Sequence, residues 1–156
     1  MNRQLSVSLA AACLVNLLPP ASGAAHAALG ADAASVAADA AALAGTVSVT
    51  ARPEYELHVV TGSAGTRVTE YVDRSGRVFA VSWSGPVMPD LRMLLGSHHA
   101  AFAVARAAQP PQSPNSPLRV ATPDLVVENA GHMRAVAGRA YVPAWLPAGM
   151  TVADVR

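Results

Sequence analysis

The stretch TRVTEYVDRSGRVFAVSWS, residues 66–84, decides the fold. Two runs rich in β-branched and aromatic residues, Thr66–Asp73 and Arg77–Ser84, flank Asp73-Arg74-Ser75-Gly76. Such a polar tetrapeptide closing on glycine suits a tight hairpin. In the second run Phe79, Val81 and Trp83 alternate with Ala80 and Ser82, which is the period of a strand with one face in a core. In the first the alternation is weaker. Upstream, Glu54–Val60 sets Tyr55, Leu57 and Val59 against Glu56 and His58, and Gly62-Ser63-Ala64-Gly65 joins it to the next run. Two hairpins in series predict an antiparallel meander of three strands.

Downstream, Gly85-Pro86 ends the third strand. Pro89 suits the first turn of a helix and Asp90 its positive end. Leu91, Leu94, Leu95, His98, Phe102 and Ala105 then share one helical face, with Arg92, His99 and Arg106 opposite. The run 109–117 holds four prolines, which excludes regular structure and predicts a surface loop. Strand character resumes at Leu118–Ala121, Asp124–Asn129 and Met133–Val142, with Ala130-Gly131-His132 as the expected turn of a third hairpin. Pro143 and Pro147 bracket Trp145, and Thr151 is placed to cap a last turn at 151–156. The expected architecture is α+β: an antiparallel sheet of three strands, a helix, then two or three strands, the helix packed on one face.

The N-terminal end reads differently. Met1-Asn2-Arg3 is a short positive start, Leu5–Leu18 an apolar run, and Ala25-His26-Ala27 fits the small-x-small pattern of a signal-peptidase site. The run is too short for a bilayer span of roughly 20 residues. Residues 1–27 are therefore expected to be a signal peptide cut after Ala27, which places the protein in the periplasm or outside the cell, with no membrane span left. Cys13 lies inside the apolar run with Ala10 three residues before it, a poor match to a lipoprotein signal. After that cut no cysteine remains, so disulfides, thiol nucleophiles and thiolate metal sites fall away together. Residues 28–45 form an Ala-rich segment, with a helix expected over Asp32–Ala44, capped by Asp32 and stopped by Gly45. Residues 46–156 are expected to be one α+β domain.

The whole chain carries 11 basic and 10 acidic residues, and every basic one is arginine. A net charge so near zero argues against nucleic-acid or anionic-membrane binding driven by bulk charge. His98-His99 diverge by roughly 100° on a helix and lack the i, i+4 spacing of helical metal pairs. Ser82-Trp83-Ser84 lacks the first glycine of a nucleophile elbow. No glycine pattern cradles phosphate. No catalytic, cofactor-binding or metal residue is assigned, and no cofactor is expected.

What remains is GHMRAVAGRAY, residues 131–141. His132, Arg134 and Arg139 are the candidate contacts for a ligand or partner. An arginine fork binds carboxylate or phosphate, and His132 could work with Asp124 or Glu128. Arg134 and Arg139, five apart, point to opposite faces of a regular strand unless Gly138 bulges. The competing structural reading pairs these arginines with Glu70, Asp124 or Glu128 inside the sheet. Three functions stay open: a non-enzymatic binding domain for an envelope protein or acidic glycan, a small periplasmic hydrolase using His132, and a structural component of an envelope assembly.

Glu70–Gly96, "EYVDRSGRVFAVSWSGPVMPDLRMLLG", and Pro123–Pro143, "PDLVVENAGHMRAVAGRAYVP", together with the start Ala28–Leu43, resemble a family of short exported bacterial proteins catalogued as domain of unknown function 2844. The resemblance implies export and a single domain. It implies no activity, cofactor or catalytic residue.

Overall fold

A computed structural model describes residues 29–32, 41, 44–113 and 116–156. The expected signal peptide lies outside the described residues, and so does most of the expected helix at 32–44. The fold is α+β, built on a seven-stranded antiparallel sheet with strand order β1-β2-β3-β4-β7-β6-β5. Its strands are β1 (Thr46–Ala51), β2 (Tyr55–Thr61), β3 (Arg67–Asp73), β4 (Val78–Gly85), β5 (Leu118–Ala121), β6 (Val126–His132) and β7 (Ala135–Tyr141). Between β4 and β5 run α1 (Leu91–Leu95), a 3-10 turn, and α2 (His99–Ala107). No described helix is long and apolar enough to cross a membrane.

The first block has four strands rather than three. β1 pairs along β2 from Thr46↔Thr61 to Ala51↔Glu56, and every residue of β1 is exposed. Its alternation is confined to Val47 and Val49 among Thr46, Ser48 and Thr50, a short pattern with no buried face behind it. The helical stretch also differs from one continuous helix. Asp90 is the N-cap, its side chain accepting from the Arg92 N–H at 2.8 Å, and Gly96 leaves helical geometry at φ 49°. The apolar face survives the break, because Leu94 and Leu95 of α1 and Phe102 of α2 enter the same core.

That core lies between the helices and one sheet face. Val68 and Val72 of β3, Val81 and Trp83 of β4, Val127 of β6 and Ala140 of β7 supply the sheet side. Leu29 joins it at 1 % exposure. Its N–H bonds the Leu94 carbonyl, and Gly30 N–H bonds the Val78 carbonyl, at 2.9 and 2.8 Å. Residues 29–32 are thereby fixed to the body.

Phe79 departs from the face expected of it. Opposite Tyr71↔Ala80 the register jumps to Val72↔Val78, leaving Phe79 as the extra residue of a β-bulge. The bulge turns Phe79 to the far side of the sheet, where it packs with Tyr71, Ala80, Val126, Tyr141 and Val155. The sheet therefore has two cores. The second is covered by the C-terminal segment 143–156, through Leu146, Met150, Val152 and Val155. Tyr71 pins this segment: its hydroxyl donates to the Arg156 carbonyl at 2.9 Å and accepts the Arg156 N–H at 2.8 Å. Thr151 caps the last 3-10 turn, as its spacing predicts, in a box with Asp154.

At the other end of β3, the Asp73 carboxylate closes the 73–77 turn by accepting Ser75 and Arg77 N–H groups at 2.8 and 3.1 Å. Burial pushes the Asp73 carboxyl up, but these bonds and those from the Ser75 and Arg77 side chains hold it below the ordinary value. The Arg77 guanidinium lies 4.3 Å over the Trp145 ring, so the same turn fastens the start of the covering segment.

Candidate functional site: an arginine-walled groove

Side chains alternate across a strand, so the register lays them out in rows across the sheet. On the face covered by the C-terminal segment one row is polar: Thr69↔Ser82↔Arg139↔Glu128↔Arg119. Its neighbour, through Tyr71, Ala80, Tyr141 and Val126, lies under the segment. The polar row marks where that cover ends.

Glu128 is held between two arginines. Arg119 Nε donates to Oε1 at 3.0 Å, and Arg139 Nε donates to Oε2 at 2.7 Å. Burial pushes the Glu128 carboxyl up, but the bond and charge of Arg139, then of Arg119, outweigh it and hold the group below its ordinary range. Arg139 has a further task. Its Nη1 donates to the Val152 carbonyl at 2.7 Å and to the Val155 carbonyl at 3.3 Å. One guanidinium thus ties the sheet to the covering segment, a geometry lysine's single ammonium does not reproduce.

Arg119 stands otherwise. It contributes only Nε to Glu128 and is 68 % exposed. It forms one wall of a groove of about 410 Å³, with Pro117 and Leu118 beside it and Val155 and Arg156 opposite. Glu128, Ala130, Ala137 and Arg139 contribute to the lining between these walls. Three guanidiniums, those of Arg119, Arg139 and Arg156, contribute to the lining beside the Glu128 carboxylate. The groove's volume is at the small end of the roughly 300–1,000 Å³ typical of ligand sites.

The residues singled out in the sequence do not converge. His132 is exposed at the end of β6, and the turn is Met133-Arg134, not the expected Ala130-Gly131-His132. Gly131 and His132 instead pair with Val136 and Ala135. Arg134 occupies the left-handed region at φ 67° in that turn, so it is neither on β7 nor beside Arg139. Asp124 precedes β6 and His132 ends it, which sets them roughly 20 Å apart. Glu128 and His132 share a face but are four residues apart, roughly 13 Å. Among the described residues neither carboxylate weighed for His132 is assembled with it. Glu70 is fully buried on the helix face opposite His58 and cannot meet Arg139 through the sheet. Of the structural pairings weighed, Arg139 with Glu128 is the one formed.

His98 packs edge-on to Trp145 at 5.6 Å and His99 leans toward Phe102 at 6.1 Å. Among the described residues no group of three or more His, Cys, Asp or Glu could hold a metal ion. Ser82 is buried in the polar row and Ser84 is exposed. The residue that sequence reasoning missed is Arg119. Its signal was the alternation of Leu118 and Val120 with Arg119, too short over four residues to weigh alone.

The fold and the groove define a class: a small α+β domain, one face of its antiparallel sheet under helices, the other half-covered by its own C-terminal segment and opening on arginines. A family model described as protein of unknown function (DUF2844) matches residues 25–155, and the chain belongs to that family. No curated protein and no solved structure matches it.

Proposed function

We propose that this is an exported, non-enzymatic binding domain whose groove takes an acidic ligand. The observation that carries the reading is the division of labour between two arginines on one carboxylate. Arg139 spends its donors on Glu128 and the covering segment, while Arg119, exposed on the groove wall, keeps its Nη donors for solvent or a ligand. A guanidinium already oriented through Nε presents those donors to a carboxylate at little entropic cost. The separation of His132 from Asp124 and Glu128 weighs for binding over hydrolysis. Placement in the periplasm or medium rests on the leader pattern of residues 1–27.

Two measurements test this. Mass spectrometry of the protein expressed in a bacterial host of high-GC genome is expected to find the N-terminus at Ala28 in the periplasmic or secreted fraction. An intact Met1 on a cytosolic product would refute the placement. Calorimetric titration with galacturonate and with neutral galactose is expected to show binding of the acid only, lost in Arg119→Ala. Equal binding of both sugars, or of galacturonate by the variant, would refute the ligand class.

A further inference from the structure

The groove does not end at its own walls. Next to the polar row the register sets out Thr61↔Arg67↔Ser84↔Ala137↔Ala130 on the same face. All five are exposed, and the C-terminal segment packs on the opposite side of the polar row. Ala137 and Ala130 also line the groove. The strip is therefore a shallow continuation of the groove, running across the strands from β5 toward β2. At its far end Arg67 is exposed and, among the described residues, makes no ion pair.

Four strand spacings separate Arg67 on β3 from Arg119 on β5, roughly 19 Å. Between them the strip and the polar row together carry one carboxylate, Glu128, and two arginines already satisfy it. His132 flanks the strip at the hairpin end, two residues from Ala130 on the same face. The surface is flat and in the middle of a sheet. Its backbone groups are engaged in the ladders, so a peptide cannot add there as a strand. Small and hydroxyl-bearing side chains between two cationic ends suit a stiff, hydroxylated chain with repeated carboxylates.

We infer that this strip is a linear track for an extended acidic glycan, a polyuronate, gripped at one end by Arg119 and Arg156 and at the other by Arg67. The inference rests on the acidic-ligand reading of the groove and adds the length and class of the ligand. A single uronate engages only the groove end. A chain long enough to reach both ends gains a second, tethered contact, which raises affinity without any new kind of interaction.

The test compares galacturonate with oligogalacturonates of two and four residues, and with a tetraglutamate peptide, by calorimetry on the leaderless protein in dilute buffer. Affinity is expected to rise about tenfold from monomer to tetramer. Arg67→Ala is expected to weaken the tetramer about fivefold, the loss of one exposed charge contact, and to leave the monomer unchanged. Because Arg67 is exposed, thermal denaturation of this variant is expected to match the parent. Equal affinity of monomer and tetramer, or an unaffected tetramer in Arg67→Ala, overturns the track while leaving the groove reading intact. Tetraglutamate binding as tightly as the tetramer overturns the glycan class. No binding of any acid overturns the groove reading and the track with it.

Discussion

Replacing Arg139 by methionine keeps most of the aliphatic length of the side chain and removes its donors. The loss is local and can be sized. Arg139 bonds Glu128 Oε2 at 2.7 Å and the Val152 carbonyl at 2.7 Å, with a longer bond to the Val155 carbonyl. Hydrogen bonds to charged groups contribute about 1.5–3 kcal/mol each. Two good ones would give about 3–6 kcal/mol if fully desolvated, but the side chain is 29 % exposed. Glu128 also keeps Arg119, and water can reach the freed carbonyls. The expected loss is therefore about 2–3 kcal/mol, which for a domain of this size lowers Tm by roughly 8–12 °C. Urea unfolding gives the free energy, and amide exchange gives the location. Amides of 150–156 are expected to lose protection earlier than those of β3 and β4, because the covering segment loses its tie to β7 while the helix-side core is untouched. Arg139→Lys is expected to recover less than half of the loss, since one ammonium cannot serve Glu128 and two carbonyls at once. A loss under about 0.5 kcal/mol with unchanged exchange in 150–156 would show that Val155, buried at 0 % exposure, holds the segment without the guanidinium, and the clamp argument would fall.

Glu128 sets the acid limb of stability. Its folded-state pKa lies below the ordinary 4.5, so its contribution is complete above that value and lost as pH falls through the folded pKa. The urea midpoint of the parent is expected to drop as pH falls below the ordinary 4.5. In Glu128→Gln it starts lower and falls less steeply, Asp73 and Asp154, both also held below the ordinary carboxylate value, supplying the remaining slope; equal slopes would refute the assignment. Gly138→Ala places a methyl into the Trp83 ring and against the Glu128 carbonyl. It is expected to cost about 2–3 kcal/mol and to shift Trp83 fluorescence, whereas unchanged urea unfolding would contradict the close packing. Arg134→Gly relieves a left-handed non-glycine residue and is expected to gain about 0.5–1 kcal/mol in the same assay; destabilisation would mean that the arginine side chain earns its strained place through a contact.

Residues 66–84 disclosed the antiparallel hairpin because both strands combine β-branched or aromatic runs with a glycine-closed turn. The helical face was legible for the same reason, since Leu94, Leu95 and Phe102 follow the helical period across the break at Gly96. Three features were not legible, each for a physical cause. β1 alternates Val47 and Val49 with Thr46, Ser48 and Thr50, but both valines are exposed, and two small apolar residues make too weak a pattern to mark an edge strand. The bulge at Phe79 shifts the side-chain period by one residue, and only the partner strand reveals it. The second core is built from Leu146, Met150, Val152 and Val155, whose spacing follows neither strand nor helix because the segment lies over the sheet without joining it. The third hairpin was found but misplaced by three residues. Gly131 looked like the turn, yet its φ of 133° serves close approach to the Ala135 carbonyl and Val136, and the left-handed turn position fell to Arg134.

The same causes explain why the site was half visible. Arg139 with Glu128 was one of several pairings open to Arg134 and Arg139, beside Glu70 and Asp124, and it is the one that forms. What they do depends on the covering segment, whose position no local pattern reports. Without that segment Arg139 would still hold Glu128 through Nε and Nη2, but its Nη1 would be open to a ligand. With it, Arg139 becomes structural, and the exposed donors pass to Arg119, one strand further out on the other side of the same carboxylate. In the proposed reading, the ligand end of the groove is thus displaced from β7 to β5 by a contact made from 152–155. A reading centred on 131–141 alone looks two strands away from Arg119, the exposed guanidinium on this row. This makes Arg119→Ala and Arg139→Met a diagnostic pair. The first is expected to abolish acid binding with little change in Tm, and the second to lower Tm while acid binding persists at temperatures where the domain stays folded. The reverse assignment of effects would return the site to β7 and refute the division of roles between the two arginines.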